Sequence, residues 1–427
     1  MNHENTISAR GISRRTFLAT TAGAGAIMLL GSACARMQSG AANAQEGAGA
    51  ELDPRVAAIV ASTIGIDTHN HIDVPLIAAD VPGPTLDLAG ELKKSGLSAI
   101  CMTFAVDYQR LTELGQAYDR FKNGLDSMDK QLELNKMKRA LNVDDLKAAH
   151  DKGQPTVVQS VEGGHFLEGK LERVAEAYGR GLRHLGLLHD NDASVPLGDV
   201  YTNPPRYGGL TAFGREVIEE CDRLGILVDM AHANAETLAA ALKVAKNPVL
   251  VSHTGLDTQL GGNEMMARMM RPRLISKEQA KLVADAGGVI GVWTHLADTP
   301  EEFAKNVRAL VEVIGIDHVC IGTDTKMTPG GGRQGAPGGP QGAPQGVRGG
   351  GTGGQGPQNG GPGRGGPGGG RGGGGDRTNQ AWGNSNAGFF YTVVDAMLKQ
   401  GFTPEEIGKV GGGNFCRIFD NATATHA

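Results

Sequence analysis

Short runs of apolar, mostly β-branched residues recur along the chain and alternate with amphipathic stretches of helical period. We predict strands at eight of these runs, over residues 64–69, 98–104, 156–161, 184–188, 226–231, 248–252, 288–293 and 318–323. Helices are predicted between them, for example over 171–179, 212–224 and 235–245. Apolar strands that alternate with helices are typical of a parallel α/β sheet, and eight such units predict a closed (β/α)8, TIM-like barrel.

A further helix is predicted near the end of the chain. Thr403-Pro404-Glu405-Glu406 offers an N-cap threonine, a proline at the first helical position and a glutamate at the capping-box position. We expect this region to close the bottom or side of the barrel rather than to take part in chemistry.

Six of the eight predicted strands lead into a histidine, glutamate or aspartate. In chain order these residues are His69 and His71, Glu162, His189, His232, His253 and Asp324. The carboxyl ends of the strands of such a barrel converge on one face, where catalytic groups collect. One histidine at a strand end is usually an ordinary polar residue with its hydrogen bonds satisfied. Six strands that each end in such a residue at the same position predict a shared site.

Imidazole and carboxylate groups without thiolates form a donor set that suits Zn²⁺ or a similar divalent ion. His69 and His71 are two residues apart, so in an extended strand both point to one side and can hold one ion. Glu162 can bridge two ions through its two oxygens, and His232 and His253 then complete the second site.

The last strand adds Asp324, either as another ligand or as a proton carrier. If it is not a ligand, it is placed to take a proton from the attacking water and pass it to a leaving nitrogen. Cysteine ligation is not expected, because the cysteines at 101, 221, 320 and 416 form no Cys-x-x-Cys pair. We predict that they are buried free thiols.

Several sequence blocks occur in a fixed order along the chain. They are Glu162–His165, Gly181–His189, Gly209–Arg215, Leu227–His232, Pro248–His253 and Gly411–Phe419. Together they resemble the blocks of the membrane (renal) dipeptidases, the zinc-dependent peptidase family M19. This resemblance extends from about residue 64 to 419. It implies a barrel of the metal-dependent hydrolase type that cleaves dipeptides with a free C-terminal carboxylate.

Carried over residue by residue, the resemblance implies two zinc ions bridged by Glu162. It implies that His189 binds the substrate and stabilises the developing oxyanion, and that Asp324 is the catalytic acid and base. Arg273 stands in the place of the arginine that clamps the substrate carboxylate, to which a guanidinium fork is suited. The alternative for Arg273 is a solvated surface position.

Strand one departs from the family pattern Asp-Gly-His-x-Asp. Asp67-Thr68-His69-Asn70-His71 places His71 where a ligating aspartate is expected. Alternatively, His71 and Asp73 match the His-x-Asp spacing shifted by two residues. We prefer His69 and His71, because the apolar residues 64–66 lead into the motif as in the family. The first metal site is then more cationic. Asp324 also lacks the Phe-Asp-Gly that normally accompanies the catalytic aspartate.

The first 44 residues resemble a twin-arginine export signal. Ser13-Arg14-Arg15-Thr16-Phe17-Leu18 precedes a modest apolar run over 18–30, and Ala42-Asn43-Ala44 forms a cleavage site. The run is shorter than the ~20 residues of a membrane span. We therefore predict export to the periplasm. Cys34 is a weak candidate for lipid attachment, because Gly31 replaces the usual lipobox leucine.

Composition sets one segment apart. Of the 66 glycines, 26 lie between residues 330 and 375, just after Asp324. With almost no apolar side chains, this segment is predicted to be a disordered insert within a hydrolase domain formed by 45–329 and 376–427. It has no aromatic residue for stacking on bases, and the formal net charge is −5. A nucleic-acid partner is therefore not expected.

Two other functions stay open beside a dipeptidase with a small dipeptide as its partner. His-x-His on strand one also opens the wider amidohydrolase pattern, whose members act on other amides, N-acyl amino acids or lactones. Many of them bridge their metals with a modified lysine on strand four, and residues 184–188 contain none. A non-enzymatic binding protein is the second alternative, which the complete second-site ligand set opposes. The sequence is also compatible with a homodimer.

Overall fold

The computed structural model describes residues 52–202, 204–329, 377–383 and 387–424. The predicted export signal with Cys34 and the glycine-rich insert at 330–375 lie outside the described residues. Both therefore stay predictions from the sequence.

Eight parallel strands form a closed barrel, which confirms the predicted fold. The strands are β1 Ile66–His71, β2 Ala99–Thr103, β3 Thr156–Glu162, β4 Leu182–Gly186, β5 Leu227–Asp229, β6 Leu250–Thr254, β7 Val289–Val292 and β8 Val319–Ile321. Each pairs with the next in parallel, and β1 pairs with both β2 and β8, which closes the sheet. A short ninth strand, β9 Thr325–Lys326, extends beside β1.

Helices connect the strands and cover the barrel. They are α1 Val56–Ser62, α2 Leu88–Ser95, α3 Gln116–Leu134, α4 Val143–Asp151, α5 Glu172–Gly179, α6 Ala212–Leu224, α7 Ala235–Val244, α8 Glu264–Met270, α9 Lys277–Asp285, α10 Pro300–Ile314, α11 Phe389–Lys399, α12 Pro404–Gly408 and α13 Asn414–Thr423. The sequence located α6 correctly at both ends, because Thr211 caps its first turn and Gly225 ends it in the left-handed conformation.

The amino end of the barrel is closed by the C-terminal helices, as expected. The capping box of Thr403 and Glu406 starts α12, and the chain then turns into α13. Phe415, Ile418 and Phe419 of α13 pack against the first residues of the strands inside the barrel, such as Ile66. This apolar layer fills the amino end, so the polar strand-end residues are left at the opposite end.

The four cysteines of the described region are free thiols. Cys101, Cys221 and Cys320 are buried and Cys416 is partly buried, in line with the prediction. Within the described residues, no helix combines the length and apolar character needed to cross a bilayer.

Three strands end earlier than the sequence predicts. β4, β5 and β8 end three residues before His189, His232 and Asp324, which therefore stand on loops just beyond the strands. His232 and Asp324 adopt positive φ angles of 67° and 55°. Non-glycine residues rarely adopt this conformation, and it ends the strand ladder while turning the side chain towards the barrel axis.

Candidate metal and catalytic site

All eight predicted site residues meet at the carboxyl end of the barrel. They are His69, His71, Glu162, His189, His232, His253, Arg273 and Asp324, and each lies within hydrogen-bond or ion-pair distance of at least one other. The five ligand candidates, His189 and Asp324 come from six different strands or from the loops that follow them, as the strand register predicts.

Two pairs of imidazole nitrogens converge inside the site. Nε2 of His69 lies 3.1 Å from Nε2 of His71, and Nε2 of His232 lies 3.0 Å from Nε2 of His253. Two ligand nitrogens at 2.0–2.1 Å from one tetrahedral zinc ion are about 3.3 Å apart. Each pair therefore has the spacing of two ligands that share one ion.

Glu162 lies between the two pairs. Its Oε1 is 2.9 Å from Nε2 of His232 and 3.4 Å from Nε2 of His69, and its Oε2 is 3.7 Å from Nε2 of His71. Oε2 is buried and has no hydrogen-bond partner in the described part of the chain. A buried carboxylate oxygen without a hydrogen bond is costly, and a cation would satisfy it. The donor set therefore fits divalent metal ions.

The same conclusion follows from the way in which the donor atoms cluster. Among the described residues, three groups could each hold an ion with donor atoms within 4.8 Å of one another. The groups are His69, His71 and Asp324; His69, Glu162 and His253; and Glu162, His189 and His232. Burial raises the pKa of Glu162, but the imidazoles of His189, His69 and His232 outweigh burial and hold it well below its usual range.

Carboxylates behind the site orient two of the imidazoles. Nδ1 of His189 lies 2.6 Å from Oδ1 of Asp107, and Nδ1 of His232 lies 3.0 Å from Oδ1 of Asp190. A histidine that donates Nδ1–H to a carboxylate turns its Nε2 towards the site. Burial lowers the pKa of His189, but Glu162 and Asp107 outweigh burial and raise it to about 10.

A serine orients the imidazole of β6. Ser252 Oγ donates to Oδ2 of Asp229 at 2.6 Å and lies 2.9 Å from Nδ1 of His253. It also lies 3.3 Å from Nδ1 of His69. Since its only hydrogen is donated to Asp229, the serine oxygen accepts from the imidazoles, and their Nε2 atoms remain free to bind metal.

Strand one is locked to the loop that carries Asp324. The buried carboxylate of Asp67 accepts from the backbone N–H of Thr323 at 2.8 Å, from the Thr323 hydroxyl at 2.6 Å and from the amide of Asn70 at 2.8 Å. The backbone N–H of Asp324 donates to the carbonyl of His69 at 3.1 Å. The positions of Asp324 and of the first histidine pair are thus coupled.

The side chain of Arg273 points into the site. Its guanidinium nitrogen lies 3.1 Å from Nε2 of His253 and 3.2 Å from Oδ2 of Asp324, and the side chain is only 14% exposed. The guanidinium also lies over the ring of Trp293, 4.9 Å from its centroid. This differs from a solvated surface arginine, which was the alternative interpretation of the sequence.

Residues 54–333 match the family described as membrane dipeptidase, peptidase family M19. The chain belongs to this family. Proteins of this family are metallopeptidases, so the predictions of the family and of a metal-dependent hydrolase are confirmed.

Individual relatives are distant from this M19 chain. An uncharacterized dipeptidase of Schizosaccharomyces pombe is 29% identical over 199 residues, a match that spans 44% of this chain and 45% of the yeast protein. The chain thus matches less than half the length of that relative.

Solved structures of low identity share the fold. The probable dipeptidase PvdM from Pseudomonas aeruginosa has a TM-score of 0.63 and 15% identity, with 87% of this chain and 98% of that chain covered. A metallopeptidase from Rhodobacter sphaeroides, liganded with a phosphinate mimic of the dipeptide L-Ala-D-Ala, has a TM-score of 0.54 and 16% identity, with 84% and 99% covered.

The structure also bears on the strand-one alternative for this M19 chain. Asp73 Oδ2 pairs with Nζ of Lys326 at 2.8 Å, and Asp73 is in none of the three candidate groups of the described residues. His69 and His71 lie together in such a group. The geometry therefore favours His69 and His71 as the strand-one pair.

Sequence analysis missed the contributions of strands two and seven. Asp107 and Tyr108 follow β2, and His295 follows β7, where its Nε2 lies 2.9 Å from Oδ2 of Asp324. Tyr108 places its hydroxyl 3.0 Å from Nδ1 of His71. The rule that located the other residues would have found Asp107 and His295, since each lies two or three positions beyond a predicted strand.

Proposed function

We propose that this protein is a binuclear zinc dipeptidase that hydrolyses dipeptides with a free C-terminal carboxylate. The observation that carries the proposal is the Glu162 carboxylate between two converging histidine pairs, with the partly buried guanidinium of Arg273 beside them. The R. sphaeroides relative, whose ligand mimics a dipeptide, supports the substrate class.

In this proposal His69, His71 and Glu162 hold one ion, and Glu162, His232 and His253 hold the other. The ions supply Lewis-acid activation of water and of the substrate carbonyl. Glu162 carries the negative charge shared by both sites, and its lowered pKa favours the ionised carboxylate.

Asp324 moves the proton. Its Oδ1 faces the first histidine pair, 3.2 Å from Nε2 of His71, while its Oδ2 is held by Arg273 and His295. From this position the carboxylate takes a proton from the attacking water and delivers it to the departing amine. Burial opposes ionisation, but His253 and Arg273 outweigh burial and hold the pKa of Asp324 well below its usual range, so it begins as the base.

His189 and Arg273 bind the substrate. The raised pKa of His189 keeps its Nε2 protonated, and this N–H points into the site, where it can donate to the carbonyl oxygen as negative charge develops. Asp107 holds the ring in place. Within the described residues Arg273 meets the Asp324 carboxylate through one nitrogen, not bidentately, so the other N–H groups of its fork can bind the substrate C-terminus.

One observation keeps a second candidate open. His71 replaces the carboxylate that the family pattern has on strand one, as in the wider amidohydrolase pattern. An amidohydrolase that acts on an N-acyl amino acid, another amide or a lactone is therefore the alternative.

The test measures the hydrolysis of free and of C-terminally amidated dipeptides by the wild type and by Arg273→Ala. The metal content of both proteins is measured first. We expect two zinc equivalents, loss of activity with a chelator, and poor turnover of amidated substrates. Arg273→Ala should raise KM for free dipeptides by roughly 10- to 100-fold, because a hydrogen bond to a charged group contributes about 1.5–3 kcal/mol. The change should scarcely affect the amidated substrate.

Arg268→Ala is the matched control, since Arg268 is exposed on α8. Equal losses of Arg273→Ala on both substrates would make Arg273 a structural residue. Hydrolysis of amidated and free dipeptides at equal rates by the wild type would favour the amidohydrolase alternative.

A further inference from the structure

We propose that His295 is a positioning residue that fixes the rotation of the Asp324 carboxylate, so that only Oδ1 of Asp324 carries the proton. This inference rests on the proposed function, in which Asp324 is the acid and base. His295 comes from β7, the strand that ends nearest to Asp324 on the side away from strand one, and sequence analysis assigned it no role.

The contacts of Asp324 divide between its two oxygens. Oδ1 lies 3.2 Å from Nε2 of His71 and 3.8 Å from Nε2 of His69, so it faces the first histidine pair. Oδ2 faces away and contacts Arg273 at 3.2 Å and His295 at 2.9 Å. The contact with His295 is the shortest of the four.

Only His295 can keep its contact with Asp324 throughout the proposed reaction. The Nε2 atoms of His69 and His71 are the proposed metal-binding atoms, and the guanidinium of Arg273 is the proposed binder of the substrate carboxylate. His295 is in none of the three candidate metal groups of the described residues. When metal and substrate are bound, His295 is therefore the remaining partner that holds Oδ2.

The loop that carries His295 is attached to the loop that carries Asp324. The backbone N–H and the hydroxyl of Thr294 both donate to the carbonyl of Thr323, at 3.3 and 3.1 Å. The buried Trp293 packs edge-on against the His295 ring, with centroids 5.1 Å apart. Thr323 precedes Asp324 and Thr294 precedes His295, so the contacts between these two threonines set the distance between the side chains of Asp324 and His295.

A fixed carboxylate matters because proton transfer requires the acceptor oxygen within hydrogen-bond reach of the water and then of the leaving nitrogen. Asp324 stands on a loop beyond β8, and the torsion that rotates an aspartate carboxylate is broad unless a partner fixes it. A hydrogen bond from His295 Nε2–H to Oδ2 supplies that restriction and leaves Oδ1 free for the proton.

The test compares His295→Leu with His295→Gln on dipeptide hydrolysis. Glutamine can place an N–H donor near the position of Nε2, whereas leucine cannot. We expect His295→Leu to lower kcat by about 10- to 100-fold, the loss of one hydrogen bond to a charged group, with KM and metal content unchanged. His295→Gln should restore most of kcat. His150→Leu is the matched control, because His150 is a half-buried histidine whose Nδ1 pairs with Ser98, outside the site.

A second comparison places His295→Leu in an Asp324→Asn background. If His295 acts through Asp324, the two losses should not add, and His295→Leu should have little effect on the residual activity. Unchanged kcat in His295→Leu, equal losses in the leucine and glutamine variants, or full additivity would each overturn the inference. Absence of dipeptide hydrolysis by the wild type would instead overturn the proposed function.

Discussion

The two histidine pairs at the mouth of the barrel are built in different ways. His69 and His71 lie two residues apart on one strand, so a local spacing brings them together. His232 and His253 come from different parts of the chain, and His232 needs a positive φ angle to reach its partner. The first pair is a property of one strand, and the second is a property of the closed barrel.

The groups behind the two pairs differ as well. Nδ1 of His71 meets the neutral hydroxyl of Tyr108, which is a 60% exposed residue. Nδ1 of His232 meets the carboxylate of Asp190 directly. Ser252, which donates to Asp229, serves both pairs, because its Oγ lies 2.9 Å from Nδ1 of His253 and 3.3 Å from Nδ1 of His69. A carboxylate behind a histidine raises its basicity as a ligand. We therefore infer that the second pair binds its ion more tightly.

The difference shows how the first pair is compensated for its missing carboxylate. The Asp324 carboxylate lies in the same candidate group as His69 and His71, with Oδ1 3.2 Å from His71. The negative charge that strand one lacks at residue 71 is thus supplied from the loop after β8. In the proposed mechanism this arrangement would link the first metal site to the group that moves the proton.

The largest expected effect comes from the residue that joins the two pairs. Glu162→Gln should abolish activity and lower the metal content, because an amide cannot bridge two cations as a carboxylate does. Activity assays and metal analysis of the purified variant check this. Glu176→Gln is the control, since Glu176 is exposed and its carboxylate accepts from the hydroxyl of Tyr118, outside the site. An active Glu162→Gln enzyme with two metal equivalents would contradict the binuclear proposal.

Asp324→Asn tests whether the first pair depends on Asp324 for chemistry or for binding its ion. If Asp324 is a proton carrier, it should be needed for turnover and not for binding of the metal ions. We expect kcat to fall by about 10²- to 10⁴-fold, the usual contribution of a general acid–base group, with two metal equivalents retained.

Asp317→Asn is a control far from the site, where Asp317 pairs with Lys409. Near-normal kcat in Asp324→Asn would remove Asp324 from the mechanism. Loss of one ion would show that Asp324 is a ligand of the first site, the other role that the sequence left open.

The contrast between the pairs also explains what could be predicted from the sequence. The barrel was predictable because each strand is a continuous buried run, and His69, His71, Glu162 and His253 lie within observed strands. The strand register also led to His189 and Asp324, although both stand beyond their strands. The same rule reaches Asp190, two positions beyond predicted strand four, but not its role, which comes from contact with a histidine 42 positions away in the chain.

The smallest expected effect tests directly which of the two histidine pairs binds its ion more tightly. Asp190→Asn keeps the shape of the side chain and an acceptor oxygen but removes the negative charge behind His232. Loss of such an outer partner typically costs 10- to 100-fold in metal affinity, so we expect a weakening of roughly 10-fold for the tighter ion. Tyr108→Phe removes only a neutral hydroxyl, which lies 3.0 Å from Nδ1 and 3.2 Å from Nε2 of His71, and should change the weaker ion's affinity by less. Stepwise titration of the metal-free protein with zinc, in competition with a chelator of known affinity, measures the dissociation constants of both ions in each variant.

A larger loss of zinc affinity in Tyr108→Phe than in Asp190→Asn would reverse the order of the two sites. Equal and small losses in both variants would mean that the carboxylates behind the second pair position the rings without strengthening the metal bond.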